Sequence, residues 1–293
     1  IGERDHELCD RMQAHAAQTG IENLKILFNE NTPGLSPSRN LGIRHANGDI
    51  IAFTDDHALP RENWIEEIVE AFRRNPFAIG ITGQAMPLWE DDSSSWFPEE
   101  FYWLFSCTSA INGDKAFRVR NAWGVNMAYR KEAFDTCSFS EDFGVSNKGT
   151  AQGIKLGLVG DDTEFGVRVC RTTGRPILLS PAVKVLNKVP KHKLTQHFIR
   201  RRAFWEGYTK AVLSKLQHPD QTETKFSFTH EYMMLARIFL LFFPKNLLRL
   251  LIHPVSAARS LLLGGEVVFL IFLGYFAGRF PKLGATPVRR YSS

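Results

Sequence analysis

The sequence predicts an α/β domain followed by an apolar helical tail, and three observations support this fold class. A continuous apolar run, IIAFT at residues 50–54, is typical of a strand in a parallel sheet that is covered on both faces. Helix-like and strand-like segments alternate around it, as they do in βαβ units. Beyond residue 220 the composition becomes mostly apolar, so we divide the chain into a domain at 1–220 and a tail at 221–293.

The composition is that of a globular protein with one large domain and an appendage, at 293 residues, 44% hydrophobic and 23% charged. A net charge of +5 indicates an anionic partner such as a phosphate, a nucleic acid or a lipid headgroup, or simply a solvated basic surface. The sequence opens without an initiator Met, so we expect an internal start. Four scattered cysteines lack zinc-ligand spacing, and we expect reduced, buried thiols: Cys9, Cys107, Cys137 and Cys170.

The first quarter of the chain alternates between helical and strand patterns. Leu8, Met12 and Ala16 repeat at helical spacing and predict an amphipathic helix over 5–19. Proline, glycine and serine are dense between 29 and 40, which predicts turns. The remaining runs predict, in order, a strand at 24–28, a helix at 41–46, the strand at 50–54 and a helix at 64–73.

The middle of the chain gives shorter signals. The aromatic segment 88–118 has no regular period, and we expect it to include a mobile loop. Two carboxylates at 161 and 162 precede a helical pattern, which is where the helix dipole favours negative charge. The predicted elements are a strand at 79–85, helices around 131–134 and at 160–172, short strands at 177–179 and 183–186, and a basic helix at 194–216.

Apolar runs dominate the tail. The longest, residues 261–278, is interrupted only by Glu266. A run of that length is at the lower limit for a helix that spans a bilayer, and it also suits an interfacial helix. Because Arg237 and Glu266 are costly in lipid, a pair of buried helices is the alternative. We expect membrane contact.

An acidic cluster follows the apolar strand directly. Asp55, Asp56 and His57 offer the oxygen and nitrogen ligands that a divalent cation takes. A cation there would bridge two phosphates and neutralise a departing diphosphate. By itself, the cluster is more typical of a solvated turn, or of a cap for the helix that follows, than of a metal site.

The segments around this cluster resemble the signature of the family 2 glycosyltransferases: GLSPSRNLGI at 34–43 and ANGDIIAFTDDHA at 46–58. The resemblance implies a GT-A fold, a nucleotide-diphospho-sugar donor, and Mn²⁺ or Mg²⁺ held by Asp55 and His57. His57 stands where the family usually has a third Asp, and imidazole suits Mn²⁺. Asp56 would bind the donor, and so would Arg39, whose fork matches a phosphate. A salt bridge from Arg39 to a site carboxylate is the alternative.

Two later segments are similar to the family's acceptor and base motifs. WGVNMAYRKEAF at 123–134 implies that Gly124 and Asn126 lie beside the donor sugar and the acceptor. GDDTEFGVR at 160–168 implies that Asp162 is the general base, with Asp161 near the acceptor in place of the usual Glu. An inverting transfer needs a base that takes the acceptor's proton. Capping of the helix N-terminus is the alternative.

A basic segment, HFIRRRAFWEGYTKA at 197–211, resembles a helix that many family 2 enzymes carry after the base motif. Arg201 and Arg202 would contact the acceptor or a diphosphate; nonspecific attraction to lipid headgroups is the alternative.

The resemblance covers about residues 20–215. It implies inverting transfer of a sugar from a nucleotide-diphospho-sugar to a lipid-linked or cell-surface glycan, with a membrane partner and no nucleic acid. We expect the catalytic domain on the cytoplasmic side. The family's first strands, which read the nucleotide base, are not recognisable before residue 5. The alternatives are a non-catalytic carbohydrate- or lipid-binding relative that keeps the fold, and a metal-dependent phosphohydrolase.

Overall fold

The structure, a computed structural model, describes residues 6–20, 23–29, 34–91, 94, 96–141, 160–215 and 229–280. This part of the chain forms a six-stranded mixed sheet with helices, which confirms the expected α/β class. The strands are β1 (Ile50–Thr54), β2 (Ala58–Pro60), β3 (Gly80–Trp89), β4 (Phe117–Val119), β5 (Asn126–Arg130) and β6 (Ile177–Val189). The helices are α1 (His6–Thr19), α2 (Leu35–His45), α3 (Trp64–Arg74), α4 (Ala133–Thr136), α5 (Asp161–Thr173), α6 (Gln196–Lys215), α7 (Thr229–Arg237), α8 (Phe243–Arg249) and α9 (Pro254–Arg279).

The strands lie in the order β1-β5-β3-β6-β2, and β4 pairs with β6. Only β3 and β6 are parallel among the described pairs. β1 runs antiparallel to β5, with Ile50 opposite Arg130 and Thr54 opposite Asn126. The prediction that the strand at 50–54 pairs in parallel is therefore wrong for its neighbour β5. The strand itself has the predicted bounds.

Helices cover both faces of this sheet. In β5, Ala128 packs against α3, while Met127 and Tyr129 point the other way and pack against α5. The α3 side chains that fill one face are spaced at helical intervals and include Ile68 and Phe72, each 2% exposed. Burial of side chains of this size contributes about 1.5–3 kcal/mol each. The sheet is thus held rigidly from both sides, which fixes the strand ends where polar residues collect.

Two N-terminal predictions need correction. α2 begins at Leu35 instead of residue 41, and it includes Pro37 in its first turn. Proline is tolerated there because the N–H groups of the first turn have no partner within the helix. Residues 23–29 contain no strand, and Leu24 and Phe28 are exposed. An apolar run forms a strand only when a neighbouring strand pairs with it, and none of the described strands does so.

The amphipathic helix at 5–19 is present as α1, but its packing differs from the prediction. Cys9 and Ala16 are buried, whereas Leu8 and Met12 are each 37% exposed. The four cysteines are free thiols, as expected, and only Cys170 is not fully buried.

Part of the aromatic segment 88–118 belongs to the core, while residues 106–116 have no regular secondary structure and the mobile loop stays a prediction. Its residues Glu99–Phe105 form a short 3-10 helix. Phe101, Leu104 and Phe105 in it are at most 2% exposed. Aromatic side chains without a regular period can still be buried when several elements converge on them. The two short strands predicted at 177–186 are also one continuous strand, β6.

The tail helices pack onto the body of the protein through α6. Backbones of α6 and α9 approach so closely that a Cβ on Gly207 would lie 1.9 Å from the Ile271 carbonyl oxygen. A Cβ on Gly274 would lie 1.9 Å from the Phe204 carbonyl oxygen. One buried cluster then joins the 3-10 helix, α6 and the tail, including Phe101, Ala203, Ile238, Phe242 and Val267.

The predicted boundary at residue 220 lies outside the described residues, within 216–228. The division into 1–220 and 221–293 stays a prediction.

Candidate active site

A cleft of about 750 Å³ opens beside the end of β1 and the N-terminus of α5. Nine of the ten residues that the sequence predicts for the site line it: Arg39, Asp55, Asp56, His57, Gly124, Asp161, Asp162, Arg201 and Arg202. Their predicted roles remain hypotheses, but the folding of the chain brings them to one surface. Asn126 is the exception.

The acidic cluster sits on the turn after β1. The Asp55 side chain is 26% exposed, the His57 side chain is 31% exposed, and Asp56 is fully exposed. The Nδ1 atom of His57 lies 3.0 Å from an Asp56 carboxylate oxygen, and its Nε2 atom lies 3.4 Å from Nζ of Lys193. Burial lowers the pKa of Lys193, while Asp55 opposes that change. An ammonium group therefore stands beside the imidazole that the sequence predicts as a metal ligand.

Arg39 connects the acidic cluster to α5. Its guanidinium donates a short hydrogen bond to Asp161 and lies 3.8 Å from a carboxylate oxygen of Asp55. The Arg39 side chain is only 8% exposed, and it lies over the ring of Phe139. In this arrangement Arg39 forms ion pairs with carboxylates of the site, which is the alternative to phosphate binding given in the sequence analysis.

Gly124 makes room for Arg39. A Cβ at this position would lie 2.5 Å from a terminal guanidinium nitrogen of Arg39. The backbone N–H of Gly124 also donates to Asp162 at 3.1 Å. One glycine thus sets the position of two charged side chains.

The two carboxylates at the start of α5 have different surroundings. Asp161 is 6% exposed, and burial raises the pKa of its carboxyl group while the Arg39 guanidinium limits that rise. Asp162 is half-buried and faces the cleft; its oxygens accept hydrogen bonds from the backbone N–H groups of Gly124 and Thr163. A carboxylate has about four acceptor positions, so these bonds orient Asp162 and leave acceptor capacity for a substrate hydroxyl.

Asn126 lies inside the sheet. Its side-chain nitrogen donates to the carbonyl oxygens of Gln84 and Val183, and its oxygen accepts from the indole N–H of Trp64. The residue is fully buried and does not line the cleft. Acceptor contact by Asn126 stays a prediction. In this structure its amide links β3, β6 and α3 through hydrogen bonds.

Cations and carboxylates alternate along the far side of the cleft. Glu231 of α7 accepts two hydrogen bonds from Arg120, at 2.7 and 2.8 Å, and lies 3.3 Å from Lys210. Lys210 also pairs with Glu206 at 3.2 Å. Burial tends to raise the pKa of Glu206 and of Glu231, yet neighbouring cations, Lys210 first in each case, hold both values below the ordinary range. Both carboxylates are therefore ionised at neutral pH.

The sequence analysis did not single out three charged residues that line the cleft: Arg120, Lys193 and Glu231. Arg120 and Lys193 lie close to the recognised motifs, so their position beside a motif could have marked them as candidates. Glu231 lies in the tail, 111 residues from its partner Arg120, and no local pattern pointed to it.

Two residues that line the cleft each have a buried polar atom without a hydrogen-bond partner among the described residues. The atoms are Oγ1 of Thr209 and the indole nitrogen of Trp103. A buried polar group without a partner costs about 1–3 kcal/mol. The cleft then becomes apolar at Met234, Leu235 and Ile271, which belong to the tail.

The donor set fits a divalent metal in chemistry, since carboxylate oxygen and imidazole nitrogen face the same cleft. The described residues contain no preformed group of three or more side chains that would hold such an ion. Asp55 and His57 are candidate ligands, and His57 would have to exchange its contact with Lys193 for the metal.

Comparisons with known proteins agree with the motifs. The family model "Glycosyl transferase family 2" matches residues 7–137. The chain is 27% identical over 214 residues to the "Glucosyl-dolichyl phosphate glucuronosyltransferase" of Haloferax volcanii, covering 73% of this chain and 66% of the relative. It therefore spans just under two thirds of that relative's length.

A solved structure confirms the expected GT-A fold. The mannosyltransferase PcManGT from Pyrobaculum calidifontis, in complex with GDP-Man and Mn²⁺, has a TM-score of 0.54 at 16% identity, over 95% of this chain and 76% of that chain. GalNAc-T7 with UDP, GalNAc and Mn²⁺ has a TM-score of 0.49 at 12% identity, over 80% and 46% of the two chains.

Proposed function

We propose that this chain, whose residues 7–137 match the family 2 glycosyltransferase model, moves a sugar from a nucleotide-diphospho-sugar to a hydroxyl of a lipid-linked or cell-surface glycan, inverting the anomeric carbon. One observation carries the proposal. A single cleft runs from the acidic cluster after β1, past Asp162, to the apolar side chains of the tail. Such a cleft suits a charged donor at one end and a lipid-bearing acceptor at the other.

Asp162 is the proposed general base. The acceptor oxygen attacks the anomeric carbon from the face opposite the diphosphate, and its proton passes to Asp162. A new C–O bond forms as the sugar–phosphate bond breaks, and the electron pair of that bond leaves with the nucleotide diphosphate. The backbone N–H groups of Gly124 and Thr163 hold the carboxylate in place during this transfer.

The donor end consists of Asp55, Asp56, His57 and Arg39. Asp55 and His57 would hold Mn²⁺ or Mg²⁺, and Asp56 would assist donor binding. When bound, the metal supplies positive charge that neutralises the departing diphosphate. We assign Arg39 to positioning instead of direct donor contact, since its guanidinium already pairs with Asp161 and lies 3.8 Å from Asp55.

The acceptor end consists of Arg201 and Arg202. Among the described residues Arg202 has only a long contact to Glu206, at 4.0 Å, so its charge is available to an acceptor phosphate. The Haloferax volcanii relative is named for action on a glucosyl-dolichyl phosphate, and a lipid-phosphate-linked sugar is the acceptor we propose here. We place the reaction at a membrane, with the catalytic domain on its cytoplasmic side.

A non-catalytic relative is the second candidate. It is favoured by the contacts of His57, whose two ring nitrogens lie beside Asp56 and Lys193. Such a protein would bind a nucleotide-sugar or a glycolipid without turnover.

The test is sugar transfer and metal-dependent sugar release from a panel of nucleotide-sugars, with lipid-linked acceptors, using membranes that contain the protein. We expect Asp162→Asn to lower turnover by about 10²–10⁴-fold, the usual contribution of a general base, with donor affinity retained. Asp135→Asn is the matched control, since Asp135 lies in the first turn of α4, away from the cleft.

If the unchanged protein binds a donor and never turns it over, the non-catalytic candidate stands. If Asp162→Asn and Asp135→Asn behave alike in an active protein, Asp162 is not the base.

A further inference from the structure

The tail presents large apolar side chains to the outside of the molecule. Six of them, spread over the segment before α8, α8 itself, the α8–α9 connection and α9, are each at least 69% exposed: Leu240, Leu248, Leu251, Ile252, Val255 and Leu262. In α9 the exposed Val255, Leu262, Phe269 and Phe276 recur at intervals of seven residues. That interval keeps them on one stripe of a helix. Exposed apolar patches of this kind mark a partner surface.

The charges of the tail indicate which partner fits. Residues 229–280 contain two carboxylates, and both are paired with cations of the protein itself: the mostly buried Glu231 with Arg120 and Lys210, and the partly exposed Glu266 with Arg200. The same residues contain five cations, of which four are exposed: Arg237, Lys245, Arg259 and Arg279. An outer surface made of apolar and cationic side chains is complementary to an anionic bilayer. A second copy of this chain would bring the same cations together.

The orientation of α9 follows from its contacts. With 26 residues it is about 39 Å long at 1.5 Å per residue, and it is long and apolar enough to cross a bilayer. Its midpoint, however, carries Glu266, which bonds Arg200 of α6. Crossing would place this ion pair at the bilayer centre, where charged side chains are expensive.

The remaining length of α9 is tied to α6 as well. Gly207, Gly274 and Gly278 lie at backbone contact between the two helices. α6 also carries Arg201, Arg202 and Lys210, which line the cleft. A spanning α9 would therefore draw a charged helix and one wall of the cleft into the hydrocarbon. An α9 that lies in the membrane plane keeps α6 in water and sinks only its outer stripe.

We propose that α7, α8 and α9 form a platform that lies in the surface of an anionic bilayer, with α9 parallel to the membrane and not across it. The proposal rests on the membrane association in the proposed function, but not on sugar transfer. The platform sets the depth of the protein so that the apolar end of the cleft, at Leu235 and Ile271, is at the bilayer surface.

The first test is flotation with phosphatidylcholine vesicles, with and without phosphatidylglycerol. We expect binding to be stronger with the anionic lipid, and the double variant Leu251→Glu/Val255→Glu to lose about tenfold or more in vesicle binding. The control is Phe77→Glu/Ile65→Glu, because these side chains are 76% and 55% exposed but lie on the α/β body. Circular dichroism checks that both variants are folded.

Equal loss in the two variants would overturn the platform. So would unchanged vesicle binding by Leu251→Glu/Val255→Glu combined with the loss of a dimer, which would make the surface an interface between copies.

The second test determines whether α9 lies in the membrane plane or spans the bilayer. Single cysteines replace His253 and Arg279, at the two ends of α9, and sealed vesicles carrying the full chain are treated with a membrane-impermeant maleimide. The unmodified chain gives the background, since its own thiols are mostly buried. We expect both positions to react from the same side of the membrane. Reaction at one end only, in vesicles that still transfer sugar, would show that α9 spans and would leave the proposed function intact.

Discussion

At the proposed donor end of the cleft, Asp55, Asp56 and His57 follow one strand, and Arg39 and Asp161 each lie in a recognisable sequence motif. At the tail end, Glu231 comes from a helix without any motif and meets cations from two distant segments. The donor end is thus determined by short signals at the ends of strands and helices. The tail end exists only because α6, α7 and α9 pack together. The difference shows that the candidate catalytic residues follow local sequence patterns, whereas the residues at the tail end come together only through tertiary packing.

The largest expected effect tests whether the tail end depends on close helix packing. Gly207→Ala would place a Cβ 1.9 Å from the Ile271 carbonyl oxygen. We expect it to lower the free energy of unfolding by about 1–3 kcal/mol, as overpacking does. Donor binding should change little. Urea unfolding in detergent and nucleotide-sugar binding measure the two effects.

Gly265→Ala is the matched control for this substitution, because it lies in the same helix, α9, with nothing within 4 Å of the new Cβ. We expect no loss of stability there, and a gain of up to about 1 kcal/mol, because alanine favours a helix more than glycine does. Equal destabilisation by the two substitutions would contradict the close contact of α6 and α9.

The next effect concerns the contact between the tail and the cleft. Glu231→Gln removes the charge that Arg120 and Lys210 share, and these side chains are only 15% and 13% exposed. We expect α7 to loosen and the KM for a lipid-linked acceptor to rise roughly tenfold, an effect of about 1.4 kcal/mol. The KM for the nucleotide-sugar should stay unchanged. Steady-state kinetics with each substrate varied in turn separates the two constants.

Glu70→Gln is the control for Glu231→Gln. Glu70 also pairs with two cations, Arg73 and Arg74, but these are 77% and 72% exposed, and exposed pairs contribute little. A rise in the KM for the donor instead of the acceptor would reverse the assignment of the two ends.

The smallest effect concerns the donor end. Lys193→Met removes the ammonium group 3.4 Å from Nε2 of His57. If His57 binds the metal, the Mn²⁺ concentration for half-maximal activity should fall roughly threefold, because a like charge near the ion is removed. Lys191→Met, on the same turn but exposed, should leave it unchanged. An unchanged requirement in both variants would argue that the metal does not use His57.

The sequence was sufficient for the parts of the fold that depend on local pattern. The apolar strand at 50–54 and the helix that begins at Asp161 appear with nearly the predicted bounds. Nine predicted site residues line one cleft: six of them follow β1, precede β5 or begin α5, and the other three, Arg39, Arg201 and Arg202, lie within α2 and α6.

Other features depend on partners that lie far away in sequence. Residues 24–28 have the composition of a strand but no described strand pairs with them. Asn126 matches a motif for substrate contact, yet its amide is used by Gln84, Val183 and Trp64. Neither the direction of a side chain nor the pairing of an apolar run is present in a local pattern. Both are set when the elements pack.

The polarity gradient along the cleft has a kinetic consequence under the proposed function. A nucleotide diphosphate released at the acidic end meets the apolar side chains of Met234, Leu235 and Ile271 at the other end, and these offer it no hydrogen bonds. In the proposed function the water-soluble product leaves from the acidic end and the lipid-borne product from the apolar end. Neither has to wait for the other, so the enzyme can exchange its spent nucleotide for a fresh donor while a growing glycolipid remains docked.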